Sequence, residues 1–481
     1  MAAAATIVYR RAHETRVGLT QEHTTLKGDV MAEELPFEGK LLSRRRLVVA
    51  AAGAGAGLLL AGCGGSSAED ATGGGGGGET TGGDGGKTYS GPKVDLEFWN
   101  GFTGGDGPFM RDMVTQFNTE HENINVKMVV QQWGDYYQKV PTAVASGRGP
   151  DVGVMHVDTL ATNAARNVII PLDDLAESLQ LQEGDFAQTI WDAGMYKDQR
   201  YGIPLDMHPL GFYYNTQHLE KAGVSEVPMT REAHDEALEK LKGAGIAQPF
   251  WQSSTWPAHL MFMSLLWQFG GELYNEDSSE ATWNSDAGVQ ALEWQVNLVK
   301  EGYSPKNVAN DADYIAFKNE KNSFHWDGIW QTQDLAKTSL PWAVAPLPQI
   351  GDQKAAWAGS HNLVMMRQRG ADDNKLQAGK VFLNWISEHS IEWAKAGQVP
   401  ARNSVRESEE FKALEHQSIL AEQIDDVKFP PAVPGIGDAQ AEMEQAVNRA
   451  VLMKQPPKQS LDQAAQKANK LLEDNKKKYE A

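Results

Sequence analysis

Val94, Leu96 and Phe98 alternate with polar neighbours, the period of a half-buried strand. A Gly-rich turn, Gly101 to Gly107, leads to Pro108, a residue suited to the first turn of a helix. Met110, Met113, Val114 and Phe117 then fall on one helical stripe. Val126, Met128 and Val130 return to alternation, Tyr137, Val140 and Val144 form a second stripe ended by Gly147, and Val152 to Met155 reads as a third strand. This β-α-β-α-β order calls for a mainly parallel sheet covered by helices.

Further along the pattern is more helical. Ser285 can cap a helix whose Val289, Leu292, Val296 and Val299 line one face. Leu376 to Ser387 and Ile391 to Ala396 form a pair, the second stopped by Gly397, and Ala439 to Met453 and Leu461 to Leu472 close the chain. The pattern predicts two α/β lobes, with the chain first crossing between them near Ile203 to Asp206. In open α/β sheets ligands sit beyond the C-terminal ends of the strands, which selects the loops around Asn100–Gly107, Trp133–Asp135 and His156–Thr159.

Composition narrows the function. Among 481 residues, 44 Lys and Arg stand against 64 Asp and Glu, a formal charge of −20, which argues against a nucleic-acid partner. The single Cys can form neither an intramolecular disulfide nor a multi-cysteine metal site. That Cys has a telling position. Ser43-Arg44-Arg45-Arg46 opens a cationic segment, Leu47 to Ala61 is apolar, and Leu60-Ala61-Gly62-Cys63 follows, with the order of a secretory signal. The ending resembles a bacterial lipobox, which implies cleavage before Cys63 and a diacylglycerol on its sulfur. The arginine pair resembles a twin-arginine export signal, with the general secretory route, which also needs positive charge, as the alternative. Residues 1–62 are therefore expected to be a signal peptide with a long n-region, for which Met31 would be a more ordinary start. Loss of that segment leaves 36 basic against 58 acidic residues, a charge of −22. Thirteen of the 28 residues at 64–91 are Gly, so 63–91 is expected to be a lipidated Cys followed by a flexible tether reaching roughly 30 Å. Its Gly run follows no strand and lacks the Gly-Lys-Ser/Thr ending of a phosphate loop.

Catalytic and metal signatures are missing. There is no Gly-x-Ser-x-Gly elbow and no His-Glu-x-x-His pair. His156, His208, His325 and His361 are scattered along the chain, so neither metal nor cofactor is expected. Aromatic residues are abundant instead, and all 14 Trp lie after residue 98. Trp267, Trp294, Trp385 and Trp393 fall in apolar helical stretches and read as core. Trp133, Trp256, Trp326, Trp330 and Trp357 sit among Ser, Asp, Gly and His, which resist burial without partners. Flat rings beside Asp, Asn, His and Arg suit a sugar: one pyranose face presents C–H groups, and its hydroxyl rim needs donors and acceptors. Hydrogen bonds to charged groups contribute about 1.5–3 kcal/mol each, against roughly 8 kcal/mol for micromolar affinity.

Several stretches taken in order carry a resemblance. They are Phe98-Trp99-Asn100-Gly101-Phe102-Thr103-Gly104, Trp133-Gly134-Asp135-Tyr136-Tyr137, Ala145-Ser146-Gly147-Arg148-Gly149-Pro150-Asp151-Val152, Tyr201 to Leu210 with Tyr213-Tyr214-Asn215, Trp326-Asp327-Gly328-Ile329-Trp330, Ala358-Gly359-Ser360-His361-Asn362 and Gly397-Gln398-Val399-Pro400-Ala401-Arg402. From about Val94 onward the chain resembles the family-1 extracellular sugar-binding components of ABC importers, whose distant relatives include maltose-binding protein. The resemblance implies an α/β, two-lobed periplasmic-binding-protein-like (type II) fold with an interlobe ligand cleft and hinge. Its lobes would be 92–204 plus about 345–412, and 205–344 plus about 413–481. It implies a non-enzymatic receptor, a monomer lipid-anchored outside the cytoplasmic membrane, that hands a mono- or oligosaccharide to membrane permease subunits. The ligand-binding residues it implies are Asn100 after the first strand, Asp158 after the third, Asp206 and His208 on the crossing segment, and Trp330 as a stacking ring. Local chemistry together with family position adds Trp256, Trp357, His361 and Arg402. Near Val433-Pro434-Gly435-Ile436, where maltose-binding relatives soon supply another stacking Trp, this chain offers Met443 or its neighbours. A secreted lipoprotein glycosidase would present a similar aromatic surface, and the same fold accommodates a polyol, a glycerol phosphate or a peptide. A phosphate ester would call for more Arg and Lys than these loops contain.

Overall fold

A computed structural model describes residues 88–178, 183–370 and 372–479. The expected signal segment, Cys63 and most of the Gly-rich tether lie outside the described residues. No helix among the described residues is long and apolar enough to cross a membrane.

The alternating positions become strands as expected. Val94–Asn100 pairs in parallel with Ile124–Val130, Val94 lying opposite Ile124, and with Val152–His156, where Phe98 lies opposite Val152. The stripes between them become the helices Gly107–Glu120 and Trp133–Ala145, whose buried residues include Met110, Met113, Val114 and Phe117 in the first and Val140 and Val144 in the second. Two strands from later in the chain complete this five-stranded sheet. His361–Met365 runs antiparallel to Val152–His156, and Ile203–Pro204 runs antiparallel to His361–Met365.

A second sheet is built on one long strand, Asp206–Asn215. Val399–Pro400, Ala356–Gly359, Phe324–Gly328 and Trp342–Ala345 all pair with it in antiparallel fashion, and Val427–Lys428 extends it beyond Ala356–Gly359. The chain passes from the first sheet to the second across Leu205. It returns across Ser360. The return was expected near 345, but Trp342–Ala345 and Ala356–Gly359 are both held by the long strand, and this backbone ladder delays the crossing. The two crossing segments are hydrogen-bonded to each other, with Leu205 N–H donating to the His361 carbonyl at 2.8 Å.

Each sheet has its own aromatic packing. Phe382, on the helix Asp373–Glu388, meets Phe98 edge-on at 5.1 Å between centroids and Phe117 at 5.0 Å. In the second lobe Trp294 stacks on Trp326 at 5.2 Å, and Phe212, Phe250 and Phe324 surround them. Trp267, Trp294, Trp385 and Trp393 are buried as the sequence suggests. Trp326 is a correction: polar neighbours mark it as surface, yet it lies within the strand Phe324–Gly328, where its ring faces the core and is 1% exposed. Strand alternation separates it from the adjacent Asp327.

The helix Asp286–Lys300 starts where Ser285 caps it, the hydroxyl accepting from Gly288 N–H at 3.4 Å. Ile436–Val451 and Pro457–Tyr479 close the chain. Removing a large ring from a packed core forfeits its transfer energy and leaves a cavity, so Phe382→Ala is expected to reduce unfolding free energy by about 3–5 kcal/mol. Urea denaturation followed by circular dichroism checks it; a loss below about 1 kcal/mol would show that the Phe98–Phe117–Phe382 contact collapses around the gap.

Candidate functional site

A cleft of about 1030 Å³ opens where the two sheets meet. The first sheet supplies its wall from the ends of parallel strands: Gly101 to Asp106 after the first, Trp133 and Tyr137 after the second, and His156 to Thr159 after the third. The second lobe supplies Trp256, Trp330 and Trp357, and His208, Gly359 and His361 line it along the crossing segments. The terminal helix Ile436–Val451 contributes Gly437, Gln440, Ala441 and Glu444.

Local chemistry explains how the rings are presented. In Asp327-Gly328-Ile329-Trp330 the Asp327 carboxylate accepts from Gly328 N–H at 2.7 Å and from the Gln331 amide at 2.8 Å, tying down the turn. Trp330 then folds back over Gly328, where a Cβ would come within 2.1 Å of the indole. Only glycine leaves that space. Trp330 approaches Trp256 at 6.2 Å and Trp357 at 6.5 Å between centroids, so three indoles form one aromatic wall. Trp256 is 41% exposed, leaving a ring face open to a ligand. Across the cleft Trp133 stacks on His361 at 5.7 Å and on Tyr137 at 5.8 Å.

The floor is organised by Asp206, which is fully buried. One oxygen accepts from His361 N–H at 2.8 Å and pairs with His208 Nδ1 at 3.1 Å; the other pairs with His361 Nδ1 and accepts from Trp393 Nε1, both at 2.7 Å. Burial alone would raise its pKa, but the His361 charge and the hydrogen bonds from both histidines hold it well below the ordinary carboxylate range. His156 Nδ1 pairs with the Tyr137 hydroxyl at 2.7 Å. Burial, with the neighbouring His361 and His208 rings, pushes His156 well below the usual histidine range. Burial and His361 lower His208 too, against the opposing pull of Asp206. Asp158 lies in the first turn of the helix Val157–Ala165, and burial pushes its carboxyl up to about 6 against two backbone hydrogen bonds.

Of the residues the sequence singles out, Asp158, His208, Trp256, Trp330, Trp357 and His361 line this one cleft. Asn100, Asp206 and Arg402 do not. Asn100 turns inward, its side-chain oxygen accepting from Phe102 N–H at 3.2 Å to shape the loop. Asp206 spends its oxygens on the four donors just described. Arg402 pairs with Asp185 at 3.0 Å and Ser387 at 3.0 Å and lies over Phe186, away from the cleft. Met443 is buried, and its helix instead turns Gln440 and Glu444 toward the cleft.

Three of the four histidines that look scattered along the chain are neighbours here. His361 lies directly opposite His156 in the first sheet, and His208 lies opposite Gly359 in the second, two residues before His361 across the Ser360 crossing. The three rings gather where the two sheets meet, with centroids 4.4 to 5.7 Å apart. Register, invisible in the linear spacing, brings them together. His325 stays apart, between Asp313 and Asp327. Reasoning from the sequence also passed over Asp106, His259 and Gln440. Each carries a buried polar atom (Asp106 Oδ1, His259 Nδ1, Gln440 Nε2) without a hydrogen-bond partner at the cleft. The position of Asp106 within the selected Gly-rich loop was the one signal available for finding it.

The model of the bacterial extracellular solute-binding protein family matches residues 112–418, well over half of the sequence. The chain belongs to this family. It is similar to the maltotriose-binding protein of Pyrococcus abyssi, 24% identical over 343 residues that span 69% of this chain and 68% of that one. The galactooligosaccharide-binding protein of Bacillus subtilis is 20% identical over 379 residues, 75% of this chain and 85% of that relative. Among solved structures, the GacH receptor of Streptomyces glaucescens, determined unliganded and with acarbose, superposes with a TM-score of 0.71 at 21% identity, covering 79% of this chain and 99% of that one. The two-lobed binding-protein fold inferred from the sequence is the fold of the molecule.

The raised pKa of Asp158 sets a pH dependence. A carboxyl whose folded pKa lies above its unfolded value of 3.8 contributes stability below pH 3.8 that is lost as pH rises through about 6. Asp158→Asn removes that loss. The variant's melting temperature relative to the parent should therefore rise between pH 4 and 7 and level off above it, as differential scanning fluorimetry across pH would record; a constant difference would mean Asp158 is solvated.

Proposed function

We propose that this solute-binding protein captures a mono- or oligosaccharide in the cleft and presents it, chemically unaltered, to the permease of an ABC importer. Export through the segment ending at Gly62 and lipidation of Cys63 would hold it as a monomer on the outer face of the cytoplasmic membrane. The observation that carries the sugar reading is the wall of Trp256, Trp330 and Trp357 facing unpartnered polar atoms across one cleft. Indole faces suit the C–H side of a pyranose. Asp106 suits its hydroxyls, because a buried acceptor without a partner costs about 1–3 kcal/mol until a donor arrives, and Asp158 adds a second carboxyl to the same wall. The volume lies at the upper end of the roughly 300–1,000 Å³ common for small-ligand clefts, which leaves room for more than one ring.

Charge favours a neutral ligand. Lys337 is outnumbered along the cleft by Asp106, Asp158, Asp334 and Glu444, a poor setting for a phosphate ester. A ligand touching both lobes draws the closed state out of an open–closed equilibrium by its higher affinity for that state.

Isothermal titration of the purified protein with a panel of mono- and oligosaccharides tests the reading, with product analysis alongside. Stoichiometric binding without turnover is the expected result, and released product would replace the receptor with a glycosidase. Trp330→Ala should weaken the best sugar tenfold or more, about 1.4 kcal/mol, and leave the melting temperature of the free protein nearly unchanged, because the ring lies at the cleft rather than within either core. Loss of fold without loss of affinity would remove Trp330 from the site.

A further inference from the structure

We infer that His156, His208 and His361 form a binding site for a divalent transition-metal ion of the Zn²⁺ class at the floor of the cleft. The inference stands on these three side chains and holds whichever organic ligand fills the space above them.

The first support is convergence. One nitrogen from each imidazole lies within 4.8 Å of the other two, and the ring centroids are 4.4 Å apart for His208 and His361, 4.9 Å for His156 and His361 and 5.7 Å for His156 and His208. An ion about 2.0–2.1 Å from each nitrogen in tetrahedral geometry would draw those nitrogens to roughly 3.3 Å apart. The ion would close the remaining gap through side-chain rotation, with the strand ladder that pairs His156 with His361 left in place.

Orientation is the second support. Each Nδ1 is already engaged: His208 and His361 with the two oxygens of Asp206, and His156 with the Tyr137 hydroxyl. That leaves the three Nε2 atoms for an ion. A carboxylate behind a histidine fixes the ring and raises its basicity, the usual arrangement around protein-bound zinc, and here one carboxylate serves two rings. Asp206 is thus a positioning residue, itself locked by His361 N–H and Trp393 Nε1.

The third support is space and ligand type. A Cβ on Gly359 would stand 2.1 Å from His208 Nε2, so glycine is what lets that ring turn toward its neighbours. Three imidazoles without thiolates suit Zn²⁺, Cu²⁺ or Ni²⁺, whereas Ca²⁺ and Mg²⁺ call for oxygen ligands. Three protein ligands leave a fourth position for water or a ligand oxygen.

Chelator-stripped full-length protein titrated calorimetrically with Zn²⁺, and with Co²⁺ as a spectroscopic probe, tests the site. The expected result is one tight ion per chain, micromolar or better, with visible Co²⁺ ligand-field bands. His208→Ala and His156→Ala should each weaken binding at least 100-fold, and Asp206→Asn about 10–100-fold. Circular dichroism confirms that each variant is folded, and His156→Ala, whose ring is only part-buried, serves if the buried positions prove intolerant. Tight binding that survives both His156→Ala and His208→Ala, or no binding up to millimolar Zn²⁺, overturns the site. A sugar titration of the metal-free protein separates this outcome from a failure of the carbohydrate reading.

Discussion

The carboxylate of Asp206 sits where the chain crosses from one sheet to the other, out of contact with solvent, and it collects four donors from three parts of the sequence. Burying a charge is costly unless hydrogen bonds and countercharges replace the lost water. Here the replacement comes from both crossing strands and from a tryptophan on the helix Ser390–Lys395. The same bonds that stabilise the charge therefore set the angle of His208 and His361 and tie the segments at Leu205 and Ser360 into one unit. The hinge region and the cleft floor share a single electrostatic origin.

That constraint orders the rest of the site. Because the floor is held by short bonds to a buried anion, the walls can differ in character. The first lobe offers strand-end loops with Gly, Asp and Trp133, as the topology of a mainly parallel sheet requires. The second offers an indole wall whose members arise from three unrelated stretches. The walls rest on aromatic packing around Phe382 in one lobe and Trp294 in the other, both part of one continuous buried cluster. Buried polar atoms of Asp106, His259 and Gln440 remain as local destabilisation that a hydroxyl-rich ligand would relieve.

Much of this is legible in the residue pattern. Period-two and period-3.6 stripes marked the first two strands and two helices by the polarity of their faces, and the third strand showed as a short apolar run because both its faces are buried. Trp330 and Trp357 were recognisable because an indole beside Gly, Asp and Ser has few ways to be buried. The same reasoning failed for Trp326, where a strand puts adjacent residues on opposite faces and lets a core ring sit beside a polar Asp327. It also overvalued Arg402 and Asn100, whose polar groups are satisfied inside their own lobe by Asp185, Ser387 and Phe102.

Residue order alone carries the local elements, the α/β class and the polar, Gly-rich character of the loops, and it raises the expectation of an export address at Cys63, because these depend on neighbours within a few turns or strands. Tertiary structure alone decided which side chains share a space. His156, His208 and His361 are separated by 52 and 153 residues, yet ladder register sets them side by side, and the return crossing at Ser360 follows from pairing with a strand 150 residues earlier. Such contacts arise from backbone hydrogen bonds between distant segments, and no pattern along a single segment records them.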